Sequence, residues 1–304
     1  MTVTITKANS IEIAWESFGN PGDETFLLIS GLGTQMIRWT TGFCEGLAAR
    51  GYRVIRFDNR DAGCSTHFTS SAVPDFAALA STLMAGGQPV VPYRLDDMAA
   101  DAIGLLDALG IKRMHVAGRS MGGMIAQIMA SENAARTLSL TSIMSSTGNP
   151  ALPQAAPEIM AMMMRPAPDP AVDPDGFLAV RLAFARKIAG TAYPFDEASL
   201  AAILMEEARR SHDPAGVARQ IAAMAVAGDR RARLATITAP ALVIHGTDDP
   251  LILPACGEET AASIPGARYM PVEGMGHDLP DPFAEVVIDV MCDLASSSSR
   301  RPGA

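Results

Sequence analysis

The sequence predicts an α/β fold: a mainly parallel central sheet flanked by helices, with an all-helical insertion late in the chain. Three observations lead there. A short, continuous apolar run at 26–29 has the pattern of a strand buried on both faces, and 52–57 is read as another buried strand. Helical runs alternate with them, the clearest at 95–109, where Met98, Ala102, Leu105, Leu106 and Leu109 share one face. From 148 to 233 the buried-strand pattern stops, and Pro150, Pro153, Pro157, Pro166, Pro168, Pro170 and Pro174 punctuate the chain.

In order, 2–6 and 11–18 pattern as two strands, closed by the Asn20-Pro21-Gly22-Asp23 turn cluster. Strand 26–29 follows, then a helix over 38–50 stopped by Gly51, and strand 52–57. Helix 95–109 is capped by Gly110. An apolar run at 114–117 leads into a helical run at 121–130, and a strand is expected at 138–144. The insertion, 148–233, should hold helices at 177–189, 197–211 and 214–227. It is far longer than an ordinary connection. Strands return at 241–245 and 267–271, around a helix at 255–264, and helix 282–294 closes the fold. Two stretches, 1–147 and 234–295, therefore form one core, and the Ser/Arg-rich segment 296–304 is expected to be disordered.

With 304 residues, 48% of them hydrophobic, the chain can bury a large core. Its net charge of −9 argues against nucleic acid or an anionic membrane as partner. The first residues pattern as a strand, without the basic and apolar regions of a signal peptide, and no apolar run reaches membrane-spanning length. Cys44, Cys64, Cys256 and Cys292 are spread out and expected to be free thiols. These features point to a cytoplasmic protein. Its five histidines lack metal-binding spacing, so neither a metal nor another cofactor is expected.

Chemistry enters at Gly118-Arg119-Ser120-Met121-Gly122. A G-x-S-x-G between a strand and a helix is a nucleophile elbow, in which glycines allow close approach and the serine Oγ stands clear of the sheet. A serine needs a base within hydrogen-bond reach, and the base needs an orienting acid. The acid is sought after the strand Val243-Ile244-His245, in Gly246-Thr247-Asp248-Asp249, where Asp249 is preferred to Asp248. The base is sought in Gly274-Met275-Gly276-His277. The order serine, acid, histidine is the one such folds use. For an oxyanion, the expected donors are the backbone N–H of Met121, after the nucleophile, and of Leu32, in the turn Ser30-Gly31-Leu32-Gly33.

Together these segments resemble the α/β-hydrolase superfamily over about residues 10–295. Asp58-Asn59-Arg60-Asp61-Ala62-Gly63-Cys64-Ser65 is similar to its D-x-R-G-x-G-x-S loop, which in the family supports the site. Within the superfamily, residues 53–66, Ala192-Tyr193-Pro194-Phe195-Asp196 and Gly274-Met275-Gly276-His277 most resemble esterases of the aclacinomycin methylesterase type. There are departures: Ser30-Gly31 for the usual His-Gly, Asp61 for a common glycine, and Arg119 beside the serine.

The resemblance implies a serine hydrolase acting on a small, apolar carboxylic ester, with residues 148–233 as a cap. Met160, Met163, Met164, Phe184 and Tyr193 are the expected pocket walls. A C–C bond hydrolase or a cofactor-free perhydrolase or haloperoxidase would keep the same triad. A non-catalytic small-molecule receptor on this fold would have no need of a general base.

Overall fold

The computed structural model describes residues 3–298. Its strands are β1 (Thr4–Ala8), β2 (Ile11–Phe18), β3 (Thr25–Ile29), β4 (Arg53–Phe57), β5 (Met114–Arg119), β6 (Thr137–Ile143), β7 (Ala241–Gly246) and β8 (Arg268–Val272). They form one sheet in the order β1-β2-β4-β3-β5-β6-β7-β8. β1 and β2 pair antiparallel, as do β2 and β4; all later pairings are parallel.

The helices are α1 (Thr41–Ala49), α2 (Phe76–Met84), α3 (Leu95–Ala108), α4 (Met121–Glu132), α5 (Pro157–Met164), α6 (Pro174–Ile188), α7 (Glu197–Arg210), α8 (Pro214–Ala225), α9 (Arg231–Leu234), α10 (Pro254–Ser263) and α11 (Asp281–Ser298). Between β6 and β7 the described chain holds helices and loops only. None of the described helices is long and apolar enough to cross a membrane.

Successive side chains of a strand face opposite ways, and β3 supplies both cores. Leu27 and Ile29 pack with Leu105, Leu106 and Ile125 of α3 and α4. Phe26 and Leu28 pack with Phe43 and Leu47 of α1 and Val287 and Met291 of α11. Burying such a side chain fully contributes about 1.5–3 kcal/mol. All five residues of β3 are buried, as a sheet covered on both faces requires.

The structure departs from the sequence expectations in places. The helix expected over 38–50 is a 3₁₀ turn, Met36–Arg38, followed by α1; Thr40 separates them because its side chain accepts from Phe43 N–H and starts α1 afresh. Helices α2, α5 and α9 were not expected. Asp75 caps α2, accepting from the N–H groups of Ala77 and Ala78. Pro157 stands in the first turn of α5, where its missing N–H costs nothing. The disorder expected from 296 onward begins too early, since α11 runs to Ser298 and buries Ala295. The rest of that segment, 299–304, lies outside the described residues, as do Met1 and Thr2.

Candidate active site

Ser120 joins β5 to α4 with φ +55° and ψ −121°. A non-glycine residue held there carries strain of about 1–3 kcal/mol, sustained only by its surroundings. Here Ser120 N–H donates to Ile143 O at 2.9 Å, and Ser120 O accepts from Gly123 N–H at 2.9 Å and from Ser145 Oγ at 2.8 Å. The flanking glycines are required by space. A Cβ on Gly118 would lie 2.0 Å from Gly122 O, and one on Gly122 would lie 2.3 Å from Ile29 O. The elbow is thus wedged between β3, β5 and β6.

His277 follows β8 on a loop anchored by its own N–H, which donates to Ile188 O at 2.7 Å. Its Nε2 is 3.0 Å from Ser120 Oγ, and its Nδ1 is 2.7 Å from Asp249 Oδ2. Asp249 is buried behind β7, and its Oδ1 accepts from Leu251 N–H and Ile252 N–H, both at 2.9 Å. Burial opposes ionisation of this carboxyl, but the charge of His277 and hydrogen bonds from His245 and His277 outweigh it and hold the group well below the usual carboxylate range. The neighbouring Asp248 faces elsewhere, its Oδ2 accepting from Thr191 Oγ1 at 2.5 Å. His245 is fully buried, with Nε2 2.7 Å from Ile252 O and 3.4 Å from Asp249 Oδ2.

The turn after β3 backs onto the elbow: a Cβ on Gly31 would meet Ser120 Cβ at 3.4 Å. Two of its amides are engaged, Gly33 N–H with Gln220 Oε1 at 2.9 Å and Thr34 N–H with Gly31 O at 3.3 Å. Met121 is the first residue of α4, where the backbone N–H has no acceptor within the helix. A hydroxyl, an imidazole and a carboxylate in line, beside backbone donors, can move a proton away from oxygen while a negative charge forms nearby.

Several residues near this line meet partners that the sequence does not announce. Asp58 accepts from Met36 N–H and Cys64 N–H and pairs with Arg210 of α7. Asp61 adopts φ +62° and accepts two hydrogen bonds from Arg219 of α8 and one from Tyr93 Oη. Asp61, His67 and Asp213 come within 4.8 Å of one another, with Arg219 bridging the two carboxylates. Arg119 lies over the Trp39 ring at 4.7 Å and donates to Arg38 O at 3.1 Å; burial and then Arg38's charge push its pKa down to about 10.

Of the expected pocket residues, three lie on α5 and Phe184 lies on α6. Met160 and Met164 are 40% and 42% exposed on α5, and Met163 and Phe184 are half-buried. Tyr193 packs against Phe283 of α11, with ring centroids 6.0 Å apart.

Comparison with known proteins agrees with this architecture. The family model described as the alpha/beta hydrolase fold matches residues 24–282. The chain is 32% identical to rhodomycin D methylesterase DauP of Streptomyces sp. (strain C5), covering 96% of this chain and 97% of that protein. It is 30% identical to rhodomycin D methylesterase DnrP of Streptomyces peucetius, covering 91% and 92%. Among solved structures, the enol-lactonase from Burkholderia xenovorans LB400 superposes with a TM-score of 0.72 at 24% identity, over 96% of this chain and 100% of that one. The chain belongs to the α/β-hydrolase fold family.

Proposed function

We propose that this α/β hydrolase cleaves carboxylic esters through a triad of Ser120, His277 and Asp249. The observation that carries this is the hydrogen-bonded line from Ser120 Oγ through His277 to Asp249, with spacings of 3.0 and 2.7 Å, starting from a strained elbow. Ser120 Oγ attacks the ester carbonyl, and its proton passes to His277 Nε2. The carbonyl oxygen becomes an oxyanion, held by the N–H groups of Leu32 and Met121. As the tetrahedral intermediate collapses, the C–O bond to the alcohol breaks and His277 protonates the leaving oxygen. Water then attacks the acyl-serine, loses its proton to the same nitrogen, and releases the acid and Ser120. Asp249 keeps the proton-bearing Nδ1 turned away from the serine and stabilises the imidazolium. These groups and water balance the reaction.

The substrate we favour is a methyl ester on an apolar small molecule, because the methylesterase relatives match across more than nine-tenths of the chain. Residues 148–233 would form the cap over the site, with Met163 and Phe184 available as walls and Met160 and Met164 at its rim. Tyr193, packed against Phe283, is the remaining candidate wall.

The test is hydrolysis of p-nitrophenyl esters from acetyl to decanoyl, beside fluorophosphonate labelling, with wild type and Ser120→Ala compared. Serine-dependent release with a chain-length optimum is expected. Labelling of Ser120 without release of any ester would replace this reading with C–C bond cleavage. Absence of both would leave a non-catalytic receptor.

A further inference from the structure

The loop that carries Leu32 is held chiefly from the helical insertion. Gln35 N–H donates to Glu207 Oε1 at 2.9 Å, and Gln35 Nε2 donates to Glu207 O at 2.7 Å. Arg38 adds a two-pronged pair to the same Glu207 carboxylate, at 3.0 and 2.8 Å. Nearer the elbow, α8 lays Val217 and Gln220 on the turn, three residues apart and so on one face. A Cβ on Gly33 would meet Val217 Cγ2 at 3.0 Å. Gln220 is fully buried; its Oε1 accepts from Gly33 N–H at 2.9 Å and its Nε2 donates to Arg60 O at 2.8 Å.

This matters for the direction of one N–H. Gly31 C=O and Leu32 N–H belong to one trans peptide and point opposite ways. Gly31 O is turned towards Thr34, accepting from its N–H at 3.3 Å and its Oγ1 at 3.0 Å, so Leu32 N–H points away from Thr34. That closure depends on Gly33 staying at φ +62°, in the third position of the turn. The hydrogen bond from Gly33 N–H to Gln220 fixes the adjoining Leu32–Gly33 peptide from outside the core.

We propose that Gln220 is a positioning residue of the reaction: by clamping Gly33 N–H and Arg60 C=O it holds the Leu32 N–H aimed at the oxyanion. The helical insertion then completes the catalytic site as well as covering it. The inference rests on the esterase reading above and names the residue that makes its oxyanion donor rigid.

The experiment compares wild type, Gln220→Met and Gln220→Glu on p-nitrophenyl acetate, a substrate too small to report on the rest of the cap. Labelling rates with a fluorophosphonate and inhibition by a trifluoromethyl ketone, which mimics the tetrahedral oxyanion, are measured alongside. Losing an oxyanion donor costs about 100–1000-fold, so loosening one in Gln220→Met should lower kcat by about 10–100-fold. KM should stay within about twofold, and ketone affinity should fall in proportion to kcat/KM. Gln220→Glu keeps an acceptor for Gly33 N–H but, when ionised, has no donor for Arg60 O, so it should recover kcat only in part. If Gln220→Met does not fold, Gln220→Asn, which withdraws the amide by one methylene, is expected to show the same kcat loss.

A folded Gln220→Met or Gln220→Asn with wild-type kcat and labelling rate overturns the proposal, as does a loss confined to KM. In either case Ser120 labels normally in wild type and the esterase reading stands. No labelling in wild type overturns both.

Discussion

Arg219 Nε and Nη2 each donate at 2.8 Å to a different oxygen of Asp61, and both side chains are almost dry, at 2% and 0% exposure. The pair joins α8 to the loop beside the site. Asp61 makes this contact from the left-handed conformation, at φ +62°. Breaking a buried pair from one side leaves a stranded charge, a cost of about 3–5 kcal/mol. Asp213 still accepts from Arg219 at 3.1 Å, so Asp61→Ala should sit near the lower end, about 3 kcal/mol by urea denaturation. Adding Arg219→Met should restore most of the loss; an additive double mutant would mean the pair contributes little.

A pH dependence follows from His67. Its Nδ1 is 2.7 Å from Asp213 Oδ2. Burial acts to lower its pKa, but hydrogen bonds with Gly63 O and Asp213 outweigh that and leave it raised. A raised histidine stabilises the fold below its unfolded pKa of about 6.5, and the benefit fades as pH rises through the folded value. The thermal midpoint of wild type should therefore fall more between about pH 6 and pH 8 than that of His67→Gln. Parallel curves for the two proteins would remove His67 from the account.

Ser120→Gly separates activity from stability. Glycine relieves the positive φ, so folding stability should rise by about 1 kcal/mol. Ester hydrolysis should fall by at least about 10⁴-fold, as should that of His277→Ala. Retained turnover in His277→Ala would assign the base elsewhere.

The two adjacent aspartates should behave differently. Asp249→Asn disturbs the tautomer of His277 and should cost about 10³–10⁴-fold in kcat. Asp248→Asn weakens a surface contact with Thr191 and should cost less than about tenfold. The reverse ranking, measured on the same ester, would move the acid to Asp248.

The inner strands were legible in the sequence because they are buried on both faces and announce themselves as apolar runs, as β3 and β7 do. The elbow was legible because its glycines are forced by contacts within five residues and against β3. What stayed hidden depends on distant partners. Asp61 and Arg219 are 158 residues apart, and Gln220 meets Gly33 across 187; no local period encodes either meeting. Helix α5 was missed because prolines on both sides suggested loop, whereas Pro157 begins the helix. Arg119, unexplained by the elbow motif, finds its place over Trp39, a residue that has no sequence link to it.

The loop of His277 is clasped by the chain just after α6. His277 N–H bonds to Ile188 O, Ala192 N–H bonds to Gly274 O at 3.1 Å, and a Cβ on Gly190 would lie 2.0 Å from that same oxygen. Backbone meets backbone there with no side chain between. For protein engineering, this makes the insertion a poor cassette: exchanging residues 148–233 for those of a relative would also re-cut the seat of the histidine. A chimera that keeps activity would need to carry 274–277 along with its new insertion, or leave 188–192 untouched.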